Sequence, residues 1–185
     1  MQDGLWVFGY GSLLWKPGFE VAERRLARLD GWHRSFCMRS IHHRGTEAEP
    51  GLVLALDAAP GASCHGVALR AAPGTEDATL AALRERELIS SAYFEVELEV
   101  TPEASPDGTV PAPLRVVAYV IDPDHVQYCG GLPLEEQARI IARARGGMGP
   151  NDEYLFNTVA HLAELGLSDP DLDWLAQRVR ALQTD

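Results

Sequence analysis

Lysine is almost missing from this chain: Lys16 is the only one among 185 residues, and Lys plus Arg number 16 against 27 Asp plus Glu. The resulting formal charge of −11 argues against nucleic acid or an anionic membrane as partner, because both are bound through clustered cations. The scattered arginines can still make a local positive pocket, while the acidic balance as a whole reads as solubility. Cysteine is scarce too. Cys37, Cys64 and Cys129 are odd in number and share no C-x-x-C spacing, so neither a disulfide framework nor a zinc site is expected and a reducing cytoplasm fits. No apolar run approaches the length of a membrane span. Asp3 and the lack of a basic segment before the first apolar run leave no secretory leader to expect. What remains is ordinary. With 46% hydrophobic and 23% charged residues, the chain is expected to fold as one domain over residues 1–185.

The first two-thirds read as strands and turns with one helix, the last third as helices. Leu5–Gly9 is an apolar strand, and residues 26–39 a long bent one with Gly31 as its kink. Leu52–Leu56 and Gly66–Leu69 are short apolar runs bounded by Pro50-Gly51, Pro60-Gly61 and Pro73-Gly74. Tyr93–Val100 alternates, with Phe94, Val96, Leu98 and Val100 on one face and Tyr93, Glu95, Glu97 and Glu99 on the other. Its glutamate row reads as the wet face of a half-buried strand whose hairpin partner is Leu114–Ile121. Three helices follow: one opened by Pro133 and ended by Gly146-Gly147, one capped by Asn151 and stopped by Gly166, one opened by Asp169-Pro170. Strands followed by segregated helices predict an α+β fold, its sheet curled toward a barrel.

Two local features carry chemistry. Gly9-Tyr10-Gly11-Ser12-Leu13-Leu14-Trp15 follows the first strand, and glycines there let a ligand approach main-chain N–H groups closely. It reads as an anion cradle for a carboxylate or phosphate. A dinucleotide fingerprint fails, because Leu14 stands where the third glycine belongs and Pro17-Gly18 interrupt any following helix. The second feature is a helix opened by Thr75-Glu76-Asp77 and running to about Ile89. Its apolar stripe of Leu80 and Leu83 continues at Glu87. A carboxylate turned inward loses hydration, which raises its pKa toward the range useful for proton transfer. Two readings of Glu87 stand at this point: an acid/base, or a residue at a helix end paired with Arg84 or Arg86. His42-His43 and Cys64-His65 lack ligand spacing, since neighbours on a strand point to opposite faces, so no metal is expected. Cys37 reads as a buried thiol rather than a nucleophile.

With loop and glutamate in hand, the chain resembles the ChaC family of γ-glutamylcyclotransferases, which act on glutathione. The resemblance runs from Val7 to about Leu182. It is carried by Phe8-Gly9-Tyr10-Gly11-Ser12-Leu13-x-Trp15-x-Pro17-x-Phe19, then Gly31-Trp32-x-Arg34-x-Phe36, His43-Arg44-Gly45 and Pro50-Gly51-Leu52-Val53. Gly66-Val67-Ala68, Arg86-Glu87 six residues before Tyr93, Val117-Ala118-Tyr119 and Gly149-x-Asn151-x-Glu153-Tyr154-Leu155 continue in the family's order. The resemblance implies a small mixed barrel with flanking helices. It implies a substrate held by the backbone amides of Tyr10, Gly11, Ser12 and Leu13, with Glu87 as acid/base and Arg44, Tyr10 and Tyr119 as further site residues. Cleavage to 5-oxoproline and cysteinylglycine is then an internal aminolysis that needs no metal or organic cofactor. Two alternatives stay open: a cyclotransferase for other γ-glutamyl amino acids or amines, and a γ-glutamyl-binding module without turnover. A monomer in the cytoplasm is expected. Two positions depart from the family pattern: Ser91-Ala92 replaces a glycine pair, and Ser40 replaces an aspartate that could serve Arg44.

Overall fold

Strand β1, Trp6–Gly9, is buried along its whole length, which its unbroken apolar sequence requires. It runs antiparallel to β3, Gly51–Ala71, with Trp6 opposite Arg70 and Gly9 opposite Val67. On its other side Val7 bridges in parallel to Val117 of β5, Leu114–Ile121. With β2, Val21–Ser40, and β4, Tyr93–Pro102, these strands close into a barrel in the order β1-β3-β2-β4-β5. The ring closes where β5 meets β1, and β3 makes an additional parallel pairing with β5 at Leu56 and Val120. Closure leaves few unpaired strand edges. The computed structural model describes residues 4–184, so Asp3 lies outside the described part.

The β4–β5 hairpin forms as its alternation predicts, with Tyr93 opposite Ile121 and Val100 opposite Leu114. The expected separation of Leu52–Leu56 from Gly66–Leu69 is not observed. Both belong to one 21-residue strand that passes through Pro60-Gly61 without ending. Gly61 has φ +83°, a conformation only glycine adopts freely, so the turn dipeptide bends the strand instead of breaking it. The two faces of β4 also sort differently from the alternation. Phe94 is 51% exposed, while Glu95 is half-buried against the first helix. Ser91, where the family pattern has glycine, takes the left-handed region at φ 56°.

The chain divides into two compact units, Met1–Arg34 with Leu56–Asp122, and Ser35–Ala55 with Pro123–Asp185. The first holds the barrel and α1, Glu76–Glu87, around Phe8, Leu29, Leu69, Leu83 and Tyr119. The second is packed around Phe36, Leu52, Ile141, Leu155, Leu172 and Leu175. It contains α2, Leu134–Arg143, α3, Asn151–Glu164, and α4, Pro170–Thr184. A two-strand turn, β6 Arg145–Gly146 with β7 Gly149–Pro150, links α2 to α3, so α2 ends before the Gly146-Gly147 pair. Asn151 does not cap α3 with its side chain. It is fully buried and bonds reciprocally to Leu52, accepting from that residue's N–H at 2.8 Å and donating to its carbonyl at 2.7 Å. An amide side chain carries the same donor and acceptor as a peptide, so Asn151 stands in for a neighbouring strand. Among the described residues no helix is long and apolar enough to cross a membrane.

Candidate active site

The glycine loop leaves β1 and tightens into a 3-10 turn over Ser12–Leu14. The Leu14 amide donates to the Gly11 carbonyl and the Lys16 amide to that of Ser12, both at 2.9 Å. These bonds leave the amides of Gly11, Ser12 and Leu13 unused by the turn itself, the arrangement a backbone cradle needs. Leu13 is buried and anchors the turn. Gly66 on β3 lets the loop's base sit flush, since a Cβ there would strike the Gly9 carbonyl oxygen and the Phe8 ring. Tyr10, just past β1, donates its hydroxyl to the Tyr119 backbone carbonyl on the neighbouring strand β5 at 2.9 Å. Loop and strand β5 are thereby tied together.

Helix α1 buries Thr79 and Leu83, and one turn further on comes Glu87, its last residue. The carboxylate side chain is 17% exposed, so the inward placement expected from the stripe is found, although the helix stops two residues early. Glu87 thus faces inward and also pairs with an arginine. Arg86 Nε lies 3.3 Å from Glu87 Oε1, while Arg86 Nη2 donates to Ser12 Oγ at 2.7 Å and Nη1 to the Lys16 carbonyl at 2.5 Å. One guanidinium therefore joins the glycine loop to the carboxylate. Burial pushes the Glu87 pKa above the usual carboxylate range, and the Arg86 charge pulls in the opposite direction without cancelling the rise.

Tyr119, 1% exposed on β5, donates its hydroxyl to Glu95 Oε2 at 3.0 Å. Glu95 is also clamped by Arg84, whose Nε and Nη2 donate to its two oxygens at 2.9 and 2.7 Å. Those bonds hold Glu95 below the usual carboxylate range against its partial burial, with the tyrosine hydroxyl helping. Burial, then the Glu95 carboxylate, then the nearby Glu87 charge raise Tyr119 well above an ordinary tyrosine, so it stays protonated. Tyr10, the Ser12 turn, Glu87 and Tyr119 thus lie in one connected cluster of the first unit. Glu95, Arg84 and Arg86 belong to it as well, and the sequence reading did not assign them to the site. The signal for Glu95 was the hairpin register, which puts it directly opposite Tyr119.

Arg44 lies in the second unit. Its Nη1 donates to the Pro150 carbonyl at 3.0 Å, lies 3.6 Å from Glu153 Oε1, and its guanidinium stacks 5.8 Å from the Tyr154 ring centre. Ser40 serves Arg44 differently from an aspartate: its hydroxyl accepts the Arg44 backbone N–H at 2.9 Å. Cys37 is buried and is not in a disulfide.

The closed five-strand barrel with its flanking helices is the fold of a solved γ-glutamylcyclotransferase. A crystal structure of the yeast γ-glutamylcyclotransferase specific to glutathione superposes with a TM-score of 0.85, at 26% identity and 97% coverage of both chains. The match to the family described as ChaC-like protein runs over residues 5–182. The chain belongs to the ChaC family. It is 35% identical to the glutathione-specific γ-glutamylcyclotransferase of Escherichia coli K12, over 98% of this chain and 75% of that one. It is 37% identical to γ-glutamylcyclotransferase 2-3 of Arabidopsis thaliana, covering 98% and 91%. Identity to the human glutathione-specific γ-glutamylcyclotransferase 1 is 33%, covering 98% and 80%.

Proposed function

We propose that this protein is a γ-glutamylcyclotransferase that cleaves glutathione to 5-oxoproline and cysteinylglycine, with Glu87 as acid/base. The observation that carries this reading is the desolvated Glu87 carboxylate, linked through Arg86 to Ser12 of the glycine loop. The α-amino nitrogen of the γ-glutamyl unit attacks its own γ-carbonyl carbon, a C–N bond closes the five-membered ring, and the amide bond to cysteine breaks. Two protons leave the α-ammonium group, and both end on the departing amine. A single carboxylate of raised pKa can carry them. The amides of Tyr10, Gly11, Ser12 and Leu13 hold the α-carboxylate so that amine and carbonyl meet, which is catalysis by positioning. Tyr119 contributes from the facing strand. Arg44 is a further substrate-binding residue on this reading, by the family resemblance. The same reading takes the chain as a cytoplasmic monomer that needs no cofactor.

The test is to incubate the purified protein with glutathione and follow 5-oxoproline and cysteinylglycine. Turnover of γ-glutamyl-alanine without turnover of glutathione replaces the substrate assignment, and no product from any γ-glutamyl compound leaves a binding module. Glu87→Gln keeps shape and removes the proton carrier, so kcat should fall by roughly 10²- to 10⁴-fold with the fold retained. A variant of near-normal rate overturns the acid/base assignment.

A further inference from the structure

Strands β4 and β5 put Glu95 directly across from Tyr119, on one face of the barrel wall, and the tyrosine hydroxyl donates to Glu95 Oε2. A tyrosine hydroxyl has one proton. With that proton committed to Glu95, toward any other group the Tyr119 oxygen can only accept. Arg84 makes the commitment firm: it grips both Glu95 oxygens in a fork, so the carboxylate can neither rotate away nor become a donor. Arg84 sits on α1 three residues before Glu87, and the same fork therefore fastens the end of that helix to the barrel wall. Tyr10 secures the other end of the arrangement by bonding to the carbonyl of Tyr119 itself.

We propose that Glu95, held by Arg84, is a positioning residue that fixes Tyr119 as a hydrogen-bond acceptor for the substrate's α-amino group. This rests on the reading of the chain as a γ-glutamylcyclotransferase and extends it to how the nucleophile is aimed. An α-ammonium group offers N–H donors and no acceptor, and still offers N–H after one proton has gone to Glu87. An N–H bonded to the Tyr119 oxygen leaves the nitrogen lone pair free to turn to the γ-carbonyl. A Tyr119 that donated would instead take hold of that lone pair or the carbonyl oxygen. The two glutamates divide the work: Glu87, held only by a single 3.3 Å contact from Arg86, moves protons, whereas Glu95 is gripped at both oxygens by Arg84 and stays fixed.

The experiment is a double-substitution cycle with glutathione as substrate. Glu95→Gln keeps the volume but turns its amide nitrogen toward Tyr119, because Arg84 claims the remaining oxygen, so the hydroxyl proton is driven into the site. We expect kcat/KM to fall about tenfold or more in Glu95→Gln. In a Tyr119→Phe background the same substitution should have no further effect. Arg84→Met, which frees the carboxylate without removing the acceptor of the tyrosine proton, should lose less. Multiplicative losses in the double variant, or a normal Glu95→Gln, overturn the proposal. A second readout does not depend on turnover: the Cζ carbon resonance of ring-labelled Tyr119, assigned by its loss in Tyr119→Phe, should shift in Glu95→Gln relative to the native protein. No shift overturns the hydroxyl orientation. Absence of glutathione turnover in the native protein instead counts against the parent reading, and the resonance still decides the orientation.

Discussion

Glu87 ionises late because it is buried, and the sign of each consequence follows from that. As a base it must be deprotonated, so the acidic limb of kcat/KM against pH should lie above the range of an ordinary glutamate. Arg86 is the charge that opposes the rise, and Arg86→Met should move that limb to still higher pH while loosening the Ser12 turn. A pH–rate profile of both proteins checks this, and an unmoved limb counts against it. Stability runs the other way. A carboxylate whose pKa is raised on folding gives full stability below its unfolded value of about 4.3. It loses that contribution as pH climbs through its folded value. At neutral pH the charged Glu87 therefore weakens the fold, and Glu87→Gln should melt higher than the native protein. The gap should close at acidic pH in a thermal scan. Function and stability oppose each other at this one side chain.

At the scale of elements, Asn151 shows what a single side chain can replace. Asn151→Ala leaves the N–H and carbonyl of Leu52 buried without their partners, and should destabilise the protein by about 2–4 kcal/mol in denaturant titration. The sequence pointed to a cap at this residue, because Asn before two acidic residues matches a helix start. Its real partner lies 99 residues away, and no local pattern contains that. The same contrast separates the legible parts of the fold from the rest. Strand β1, the β4–β5 hairpin and the inward turn of Glu87 follow from local apolar periodicity, and the sequence shows them. The 21-residue β3 was hidden by Pro60-Gly61, since turn dipeptides mark a bend but do not say whether pairing resumes beyond it. Glu95 was read as wet because alternation assigns faces and is silent on what docks against them. The Arg84 fork comes from a helix eleven residues upstream.

For the whole molecule, the formal charge of −11 surrounds a site proposed to take glutathione, itself a net anion at neutral pH. The mean field repels the substrate, and salt screens that repulsion over about 10 Å at 0.1 M against about 30 Å at 0.01 M. Raising ionic strength between these values should therefore lower KM, by about twofold, with kcat unchanged. A KM that rises with salt would show that local arginines, not the net charge, govern the approach.

The hydrogen bond from Tyr10 to the Tyr119 carbonyl spans 109 residues, and β1 closes the barrel only when β5 is present. During synthesis at about 5–20 residues per second, the first strand and its glycine loop wait about 5–20 s before the segment that completes them has even been translated. Once β3 has been made, β1 can pair with it, but the edge of β1 that meets β5 stays open until the end of that interval. Conditions that slow elongation lengthen the time for which that edge stays open.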